Sequence, residues 1–231
     1  MTVKEINYWG GERRMLERLG LTHKMPRCDY EGLSDVLKVG HVAQKCTEFM
    51  QATELKLAPS ADCTSKSQPA VSARMRAILV SWLVEVHEKW KLHPETLFIT
   101  VNLIDRYCDL KKVLRSEYQL LGITALLIAC KYEEILVPKL EDFGEITDNT
   151  YTTAQILAQE CTILKVLSFD ITFPTTHRLL ERYHALAEGT KECFFLACYS
   201  SELCLIDVKM NKWAPSRLAS ACLYLAKKLL D

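Results

Sequence analysis

The chain lacks an excess of either charge, because 29 Lys and Arg residues balance 29 Asp and Glu residues and the formal net charge is zero. Proteins that bind nucleic acid or other phosphate-rich surfaces commonly carry a basic face. The balance therefore argues against a general phosphate-binding surface, although it is compatible with a local basic patch.

Long hydrophobic runs and cysteine pairs are also missing. The longest strongly apolar run, Leu120 to Cys130, is too short to span a bilayer. None of the ten cysteines stands in a C-x-x-C spacing, and most lie in apolar helical runs, where a free cysteine acts as a small hydrophobe. Because we find no N-terminal signal peptide, we expect a soluble intracellular protein with reduced cysteines rather than a disulfide framework.

Motifs that would identify an enzyme are absent. The sequence has no Gly-rich phosphate loop, no G-x-S-x-G, no H-E-x-x-H and no calcium loop. Of six scattered histidines, His177 and His184 share a helix face, but no cysteine or carboxylate completes a metal site. Glu133 and Glu134 are adjacent on a helix and do not face each other, so we interpret them as a solvated helix end. We expect no metal, no cofactor and no catalytic activity.

What the sequence does contain is helical periodicity along most of its length. Residues 1–33 are expected to form an irregular N-terminal arm, and residues 34–72 an N-terminal helix, from about Asp35 to Leu55, followed by a polar, proline-bearing linker. Further helices are predicted at about 74–90, 94–108, 116–134, 140–145, 152–167, 175–187, 190–208 and 214–230. Because no strand alternation appears, the sequence predicts an all-α fold.

The first of those later helices is apolar on two sides. Met75, Ile78 and Trp82 fall in one sector of roughly 80° that also contains Glu85, while Val80 points nearly opposite. Such a helix is either buried all round or offers its second face to a partner. Because an unpaired buried carboxylate is costly, the glutamate favours the partner interpretation.

An internal repeat suggests two copies of one helical unit. Residues 121–131 align without gaps on residues 218–228, and the small residues Gly122, Ala125 and Ala129 match Ala219, Cys222 and Ala226. Both segments have the composition of a central bundle helix. Chance similarity between two alanine-rich helices is the open alternative.

Charged residues also stand inside apolar helices. Arg76, Asp105 and Glu160 each interrupt an otherwise apolar run. A buried charge needs a partner, so each of them either has one or reaches solvent; the pattern alone leaves both options open.

Several motifs in register resemble the cyclin box of mitotic A/B-type cyclins, with details closer to the B-type. They are MRAILVSWLVE at 75–85, NLIDRY at 102–107, LGITALLIACKYEE at 121–134, ITDNTY at 146–151, LKVLSFD at 164–170 and FPTT at 173–176. The resemblance covers residues 36–231 and implies a cyclin fold of two tandem helical bundles after an N-terminal helix. The first box, of five helices, would span residues 73–170; the second, residues 171–231, would stop after its third helix.

The resemblance implies a non-catalytic subunit that binds and activates a cyclin-dependent Ser/Thr kinase, in nucleus and cytoplasm, at the G2/M stage. It places Arg76 and Asp105 in an internal ion pair. The kinase-binding residues that it implies are Lys131, Glu160, Tyr132, Leu164, Phe169, Ile171 and Val42.

A second site implied by the resemblance is a groove that docks Arg-x-Leu peptides of substrates or inhibitors, with the arginine meeting Glu85. Its residues would be Met75, Ile78, Leu79, Trp82, Glu85 and Gln119. Tyr118 departs from the leucine usual in animal cyclins. A cyclin-fold adaptor in transcription or nucleic-acid binding is the alternative function, and the neutral charge disfavours it. A helical enzyme is disfavoured because no acid, base or metal set converges.

Overall fold

The computed structural model describes residues 28–29, 40–60, 63 and 68–230, and within them the chain is helical without strands. The helices from residue 40 onward are α1 (Gly40–Thr53), α2 (Ala73–Trp90), α3 (Pro94–Leu110), α4 (Tyr118–Glu133), α5 (Leu140–Glu145), α6 (Thr153–Val166), α7 (Thr176–Leu186), α8 (Lys191–Ile206) and α9 (Pro215–Leu230). Short 3-10 turns at Arg115–Glu117 and Val208–Lys212 precede α4 and α9. The predicted all-α fold is confirmed.

Local capping explains why the helices begin where the sequence predicted. The predicted capping box before α6 is present, since Thr152 Oγ1 accepts from Gln155 N–H at 3.3 Å and Gln155 Oε1 accepts from Thr152 N–H at 2.9 Å. Pro94 stands at the first position of α3, where the missing N–H is no loss. The predicted arm and the start of the predicted N-terminal helix fall mostly outside the described residues.

The first hydrophobic core surrounds α4, whose residues 121–130 are all buried. Helices α2, α3 and α6 pack around it. Gly122 allows α4 to approach α2 closely, because a Cβ at this position would lie 2.8 Å from Leu79 Cδ1. The repeat segment at 121–131 therefore does form the centre of a bundle.

The second core lies between α7, α8 and α9. On α9 its members include Ala219, Cys222 and Ala226, the same positions that the internal repeat aligned with the buried small residues of α4. The other side of α9 is exposed, with Tyr224 66% and Leu229 64% accessible. Within the described residues, this second repeat segment is packed mainly on one side, against α7 and α8, whereas the first is enclosed.

A buried ion pair connects the two units. Arg76 on α2 and Asp105 on α3 are joined by two hydrogen bonds of 2.7 Å, and both are almost fully buried. The guanidinium also donates to the carbonyls of Leu205 and Ile206 at the end of α8, at 2.7 and 3.1 Å. Burial lowers the pKa of Arg76, but the charge of Asp105, the hydrogen bonds to it and smaller effects of nearby groups together outweigh burial, so the pKa is raised on balance. The pair braces the first two helices and also holds the second unit.

Further polar contacts attach α1 and the N-terminal residues to the second unit. Glu54, just after α1, accepts from Ser216 N–H and Oγ at 2.7 Å. Asp29 forms an ion pair with Arg182 of α7. All ten cysteines are free. None of the described helices is long and apolar enough to cross a membrane.

Candidate functional site

An exposed ion pair stands at the end of α4. Lys131 Nζ donates to both carboxylate oxygens of Glu160 on α6, at 2.6 and 2.8 Å. The lysine side chain is 46% accessible and the glutamate side chain 12%. A pair in this position joins two helices at the surface and leaves donor capacity on the ammonium group facing outward.

Apolar side chains surround this pair. Tyr132 follows Lys131 and is held by a 2.6 Å hydrogen bond between its hydroxyl and Thr172 Oγ1. Leu164 and Ile171 are half-buried against the first core, whereas Phe169 is 66% accessible. Together with the ion pair, these four residues define what we call the Lys131 face.

The backbone holds Phe169 outward in an unfavourable conformation. Ser168 and Phe169 both have positive φ values, 54° and 59°, which cost free energy for residues other than glycine. Phe169 N–H donates to the carbonyl of Leu164 at 2.8 Å and fixes this turn. Local strain at an exposed aromatic residue is typical of a binding surface.

Sequence reasoning missed other apolar residues at this edge. Ile135 and Leu136, directly after α4, are 98% and 87% accessible. Phe49 on α1 is also exposed, and it lines a cleft of about 420 Å³ together with Tyr132. Val42, two helical turns before Phe49, is half-buried. The sequence does contain a signal for this surface, the apolar run Ile135-Leu136-Val137 just after the end of α4. Exposed apolar patches of this kind mark interaction sites.

The interpretation of Glu133 and Glu134 as a solvated helix end was wrong. Glu134 Oε1 accepts from His93 N–H at 2.7 Å and from Thr96 Oγ1 at 2.5 Å, so it caps the start of α3. Glu133 lies 3.5 Å from the Arg178 guanidinium of α7. Their partners are about 40 residues away in sequence, and helical spacing alone does not reveal them.

The predicted groove is a cavity of about 430 Å³ between α2 and α4. Its lining residues are Met75, Ile78, Leu79, Trp82, Arg115, Tyr118 and Gln119. Ile78 is 62% accessible at the rim, whereas Leu79 is buried and forms the floor. Glu85 does not line the cavity; it is exposed one turn beyond Trp82. Arg115 lines the cavity but was not predicted to do so.

Tyr118 forms the inner wall of this groove. It is only 4% accessible, and its hydroxyl has no hydrogen-bond partner among the described residues. Burial raises the pKa of this phenol, and the nearby Asp105 charge adds to the effect. The tyrosine ring therefore serves as an apolar wall of the groove.

The histidines have structural contacts. His177 is buried, with its ring 5.9 Å from that of Phe98, and burial lowers its pKa. His184 Nε2 lies 2.9 Å from the Thr190 carbonyl. In the part of the chain that the structure describes, no group of His, Cys, Asp and Glu side chains has the arrangement of a metal site.

Comparison with known proteins places these features in a family. The model for the cyclin N-terminal domain matches residues 45–172, and the model for the cyclin C-terminal domain matches residues 174–231. Among solved structures, a viral cyclin from herpesvirus saimiri superposes with a TM-score of 0.73 over 80% of this chain and 82% of that chain, at 18% identity. A chain of the yeast RNA Pol II CTD kinase CTDK-1 complex superposes with a TM-score of 0.60 over 69% of this chain and 56% of that chain, at 17% identity. At these identities the likeness shows the fold.

Relatives of both mitotic classes are similar to this chain. Cyclin-A1-2 of Arabidopsis thaliana is 42% identical over 190 residues, which are 79% of this chain and 42% of that protein. Cyclin-B2-1 of the same plant is 45% identical over 161 residues, which are 70% of this chain and 38% of that protein. The chain thus spans about two fifths of these relatives' length. They do not separate the classes, so the B-type preference stays a prediction. On these matches, the chain belongs to the cyclin family, with A-type and B-type cyclins as its relatives.

Proposed function

We propose that this chain is a regulatory subunit that binds and activates a cyclin-dependent Ser/Thr kinase through the Lys131 face. The observation that carries the proposal is the Lys131–Glu160 pair, surrounded by exposed or half-buried apolar side chains, on a member of the cyclin family. Interface energy concentrates in such a polar anchor ringed by apolar contacts that exclude water.

The two charges of the Lys131 face determine which groups of a partner can bind there. In the free chain the ammonium group of Lys131 and the carboxylate of Glu160 satisfy each other. In the complex each would also meet backbone groups of the kinase's regulatory helix, the ammonium group at carbonyl oxygens and the carboxylate at N–H groups. Tyr132, Leu164, Phe169 and Ile171 would receive the apolar side of that helix.

Activation would then be a population shift. The Lys131 face would bind the regulatory helix of the kinase in its active position and not in its inactive position. Binding would therefore stabilise the active state of the kinase. The chain itself supplies no reacting group, since in a kinase the correct helix position completes the phosphate-binding site. We place this regulation at the G2/M stage, in the nucleus and the cytoplasm.

We further propose that the groove between α2 and α4 recruits substrates or inhibitors that carry Arg-x-Leu. Its apolar floor and rim, Leu79, Ile78 and Trp82, suit a leucine side chain. Gln119 provides an amide for the peptide backbone, and the exposed Glu85 lies one turn beyond Trp82, within range of a flexible arginine.

The activation proposal is tested with a purified monomeric cyclin-dependent kinase. Adding the chain is expected to raise the rate of phosphorylation of a peptide substrate by at least tenfold, because the active state becomes dominant. The same amount of chain with the kinase omitted gives no phosphorylation. The proposal would be contradicted if saturating concentrations of the chain stimulate none of several cyclin-dependent kinases.

The groove proposal makes a separate prediction. Replacing Met75 and Trp82 by alanine is expected to weaken binding of an Arg-x-Leu peptide by about tenfold or more, because truncating buried interface anchors costs at least 1–2 kcal/mol. Fluorescence polarisation with a labelled peptide measures the loss, while kinase stimulation on a peptide without the motif stays unchanged.

A second variant controls for folding in this test. Met75 and Trp82 pack partly against the first core, whereas Ile78 is mostly exposed. Ile78→Asp should therefore weaken binding of the Arg-x-Leu peptide in the same way, without lowering the melting temperature of the chain. Equal loss of peptide binding and kinase stimulation in both variants would contradict a separate docking site.

A further inference from the structure

Two cysteines meet where α8 packs against α9. Cys204 stands in the last turn of α8, and Cys222 stands near the middle of α9. Both line one apolar cavity of about 470 Å³, together with the side chains of Leu203, Leu218 and Leu225. Cys222 is buried and Cys204 is half-buried, so the pair lies between packed helices at a place that a small molecule can reach.

The two thiols are in contact. The Cys222 thiol donates a hydrogen bond to the Cys204 sulfur, and this bond lowers the pKa of Cys204 to about 7, although burial and the charge of Asp207 act in the opposite direction. The same bond, together with burial, raises the pKa of Cys222. At neutral pH about half of the Cys204 side chains are therefore thiolate, while Cys222 keeps its proton.

Other buried thiols of the chain have the opposite property. Burial raises the pKa of Cys108, Cys130 and Cys198 to about 12. Because the thiolate is the form that attacks an oxidant, these three thiols are expected to be unreactive. Cys198 is the best comparison, since it also lies on α8 and packs against the same core as Cys204. The hydrogen bond from α9 is what distinguishes Cys204 from Cys198.

Cys204 also lies beside the contact that joins the two helical units. The carbonyls of Leu205 and Ile206, the next two residues, accept hydrogen bonds from the buried guanidinium of Arg76 on α2. A covalent bond from Cys204 to α9 would therefore fix the end of α8 twice, to the first unit through Arg76 and to α9 through sulfur.

We propose that Cys204 and Cys222 are a redox-active pair, in which a peroxide oxidises Cys204 and Cys222 then closes a reversible disulfide between α8 and α9. None of the residues of this site belongs to the Lys131 face or to the groove between α2 and α4, so the proposal stands apart from kinase and peptide binding.

The reaction has two steps. In the first, the Cys204 thiolate attacks a peroxide oxygen; an S–O bond forms, the O–O bond breaks, and the departing hydroxide takes up a proton from solvent to become water. In the second, the Cys222 sulfur attacks the Cys204 sulfur, an S–S bond replaces the S–O bond, and the Cys222 proton leaves with the hydroxide as a second water. The two sulfurs lose two electrons, which the peroxide gains. A thiol such as glutathione reverses the reaction by exchange.

The test uses the chain with the exposed Cys46 and Cys161 replaced by serine, so that these two do not link different molecules. The folded chain is treated with hydrogen peroxide at a concentration that oxidises glutathione, free thiols are blocked in denaturant, and tryptic peptides are analysed by mass spectrometry. The expected product is a pair of peptides linked through Cys204 and Cys222, which dithiothreitol separates. Cys222→Ser is expected to stop at the sulfenic acid of Cys204, which dimedone traps, whereas Cys198→Ser should form the disulfide as before.

Thermal melting gives a second readout. A disulfide between residues 204 and 222 restricts the unfolded chain, so the oxidised chain is expected to melt about 5 °C or more above the reduced chain. Circular dichroism checks that each serine variant is folded. The proposal is overturned if peroxide forms no link between Cys204 and Cys222 in the folded chain, or links Cys204 to Cys198 to the same extent. An oxidised chain that melts no higher than the reduced chain would overturn it as well.

Discussion

Replacing Lys131 and Glu160 together by alanine is expected to reduce the affinity for a cyclin-dependent kinase by about 100-fold or more. The two residues form the polar centre of the proposed interface, and central residues of this kind cost 2 kcal/mol or more each when truncated. The fold should survive, because an exposed ion pair contributes only about 0–1 kcal/mol to stability. Isothermal titration calorimetry with a purified kinase measures the affinity, and circular dichroism the folded state.

A charge-matched control makes this result specific. Lys191 and Glu192 are both exposed at the start of α8, in the second unit. Their double alanine variant removes the same charges and should bind the kinase as the unmodified chain does. Intact kinase binding by a folded Lys131→Ala, Glu160→Ala variant would contradict the proposed interface.

Replacing Asp105 by alanine is expected to lower the free energy of unfolding by about 3–5 kcal/mol. This change leaves the guanidinium of Arg76 buried without its counter-charge, and uncompensated buried charges are costly to that extent. It also removes the acceptor of Asn211 Nδ2, which donates to Asp105 at 2.9 Å. Urea denaturation followed by circular dichroism measures the loss.

The exposed pair Arg178–Glu181, with side chains 46% and 38% accessible, provides the comparison. Glu181→Ala is expected to cost less than 1 kcal/mol. If Asp105→Ala costs no more than this control, Arg76 and Asp105 do not hold the two units together as described.

The helices were predictable to within one or two residues at most ends, since local chemistry decides them. Thr152 with Gln155, and the prolines Pro94 and Pro215, mark helix starts regardless of the surrounding fold. The buried side of α4 was likewise readable from its small and apolar residues. Such signals lie within one or two turns of the feature that they predict.

Contacts between distant segments were not predictable in the same way. Arg76 bonds to carbonyls about 130 residues away, and Glu134 caps α3 about 40 residues before it. Arg115 looked like an ordinary surface residue, since its role in lining the groove depends on how α4 packs beside α2. The motif resemblance implied the ion pair and the groove residues, but only packing shows that Glu85 lies outside the cavity.

Hydrogen exchange of the chain, alone and with a bound cyclin-dependent kinase, shows whether the kinase covers the Lys131 face, because backbone amides under a bound partner exchange more slowly. We expect added protection at residues 131–137 and 160–172, which carry the Lys131 face and the exposed Ile135 and Leu136. Residues 75–85 should exchange as in the free chain, which leaves the groove open for a peptide. Protection centred on residues 75–85, with residues 131–137 unchanged, would contradict kinase binding through the Lys131 face.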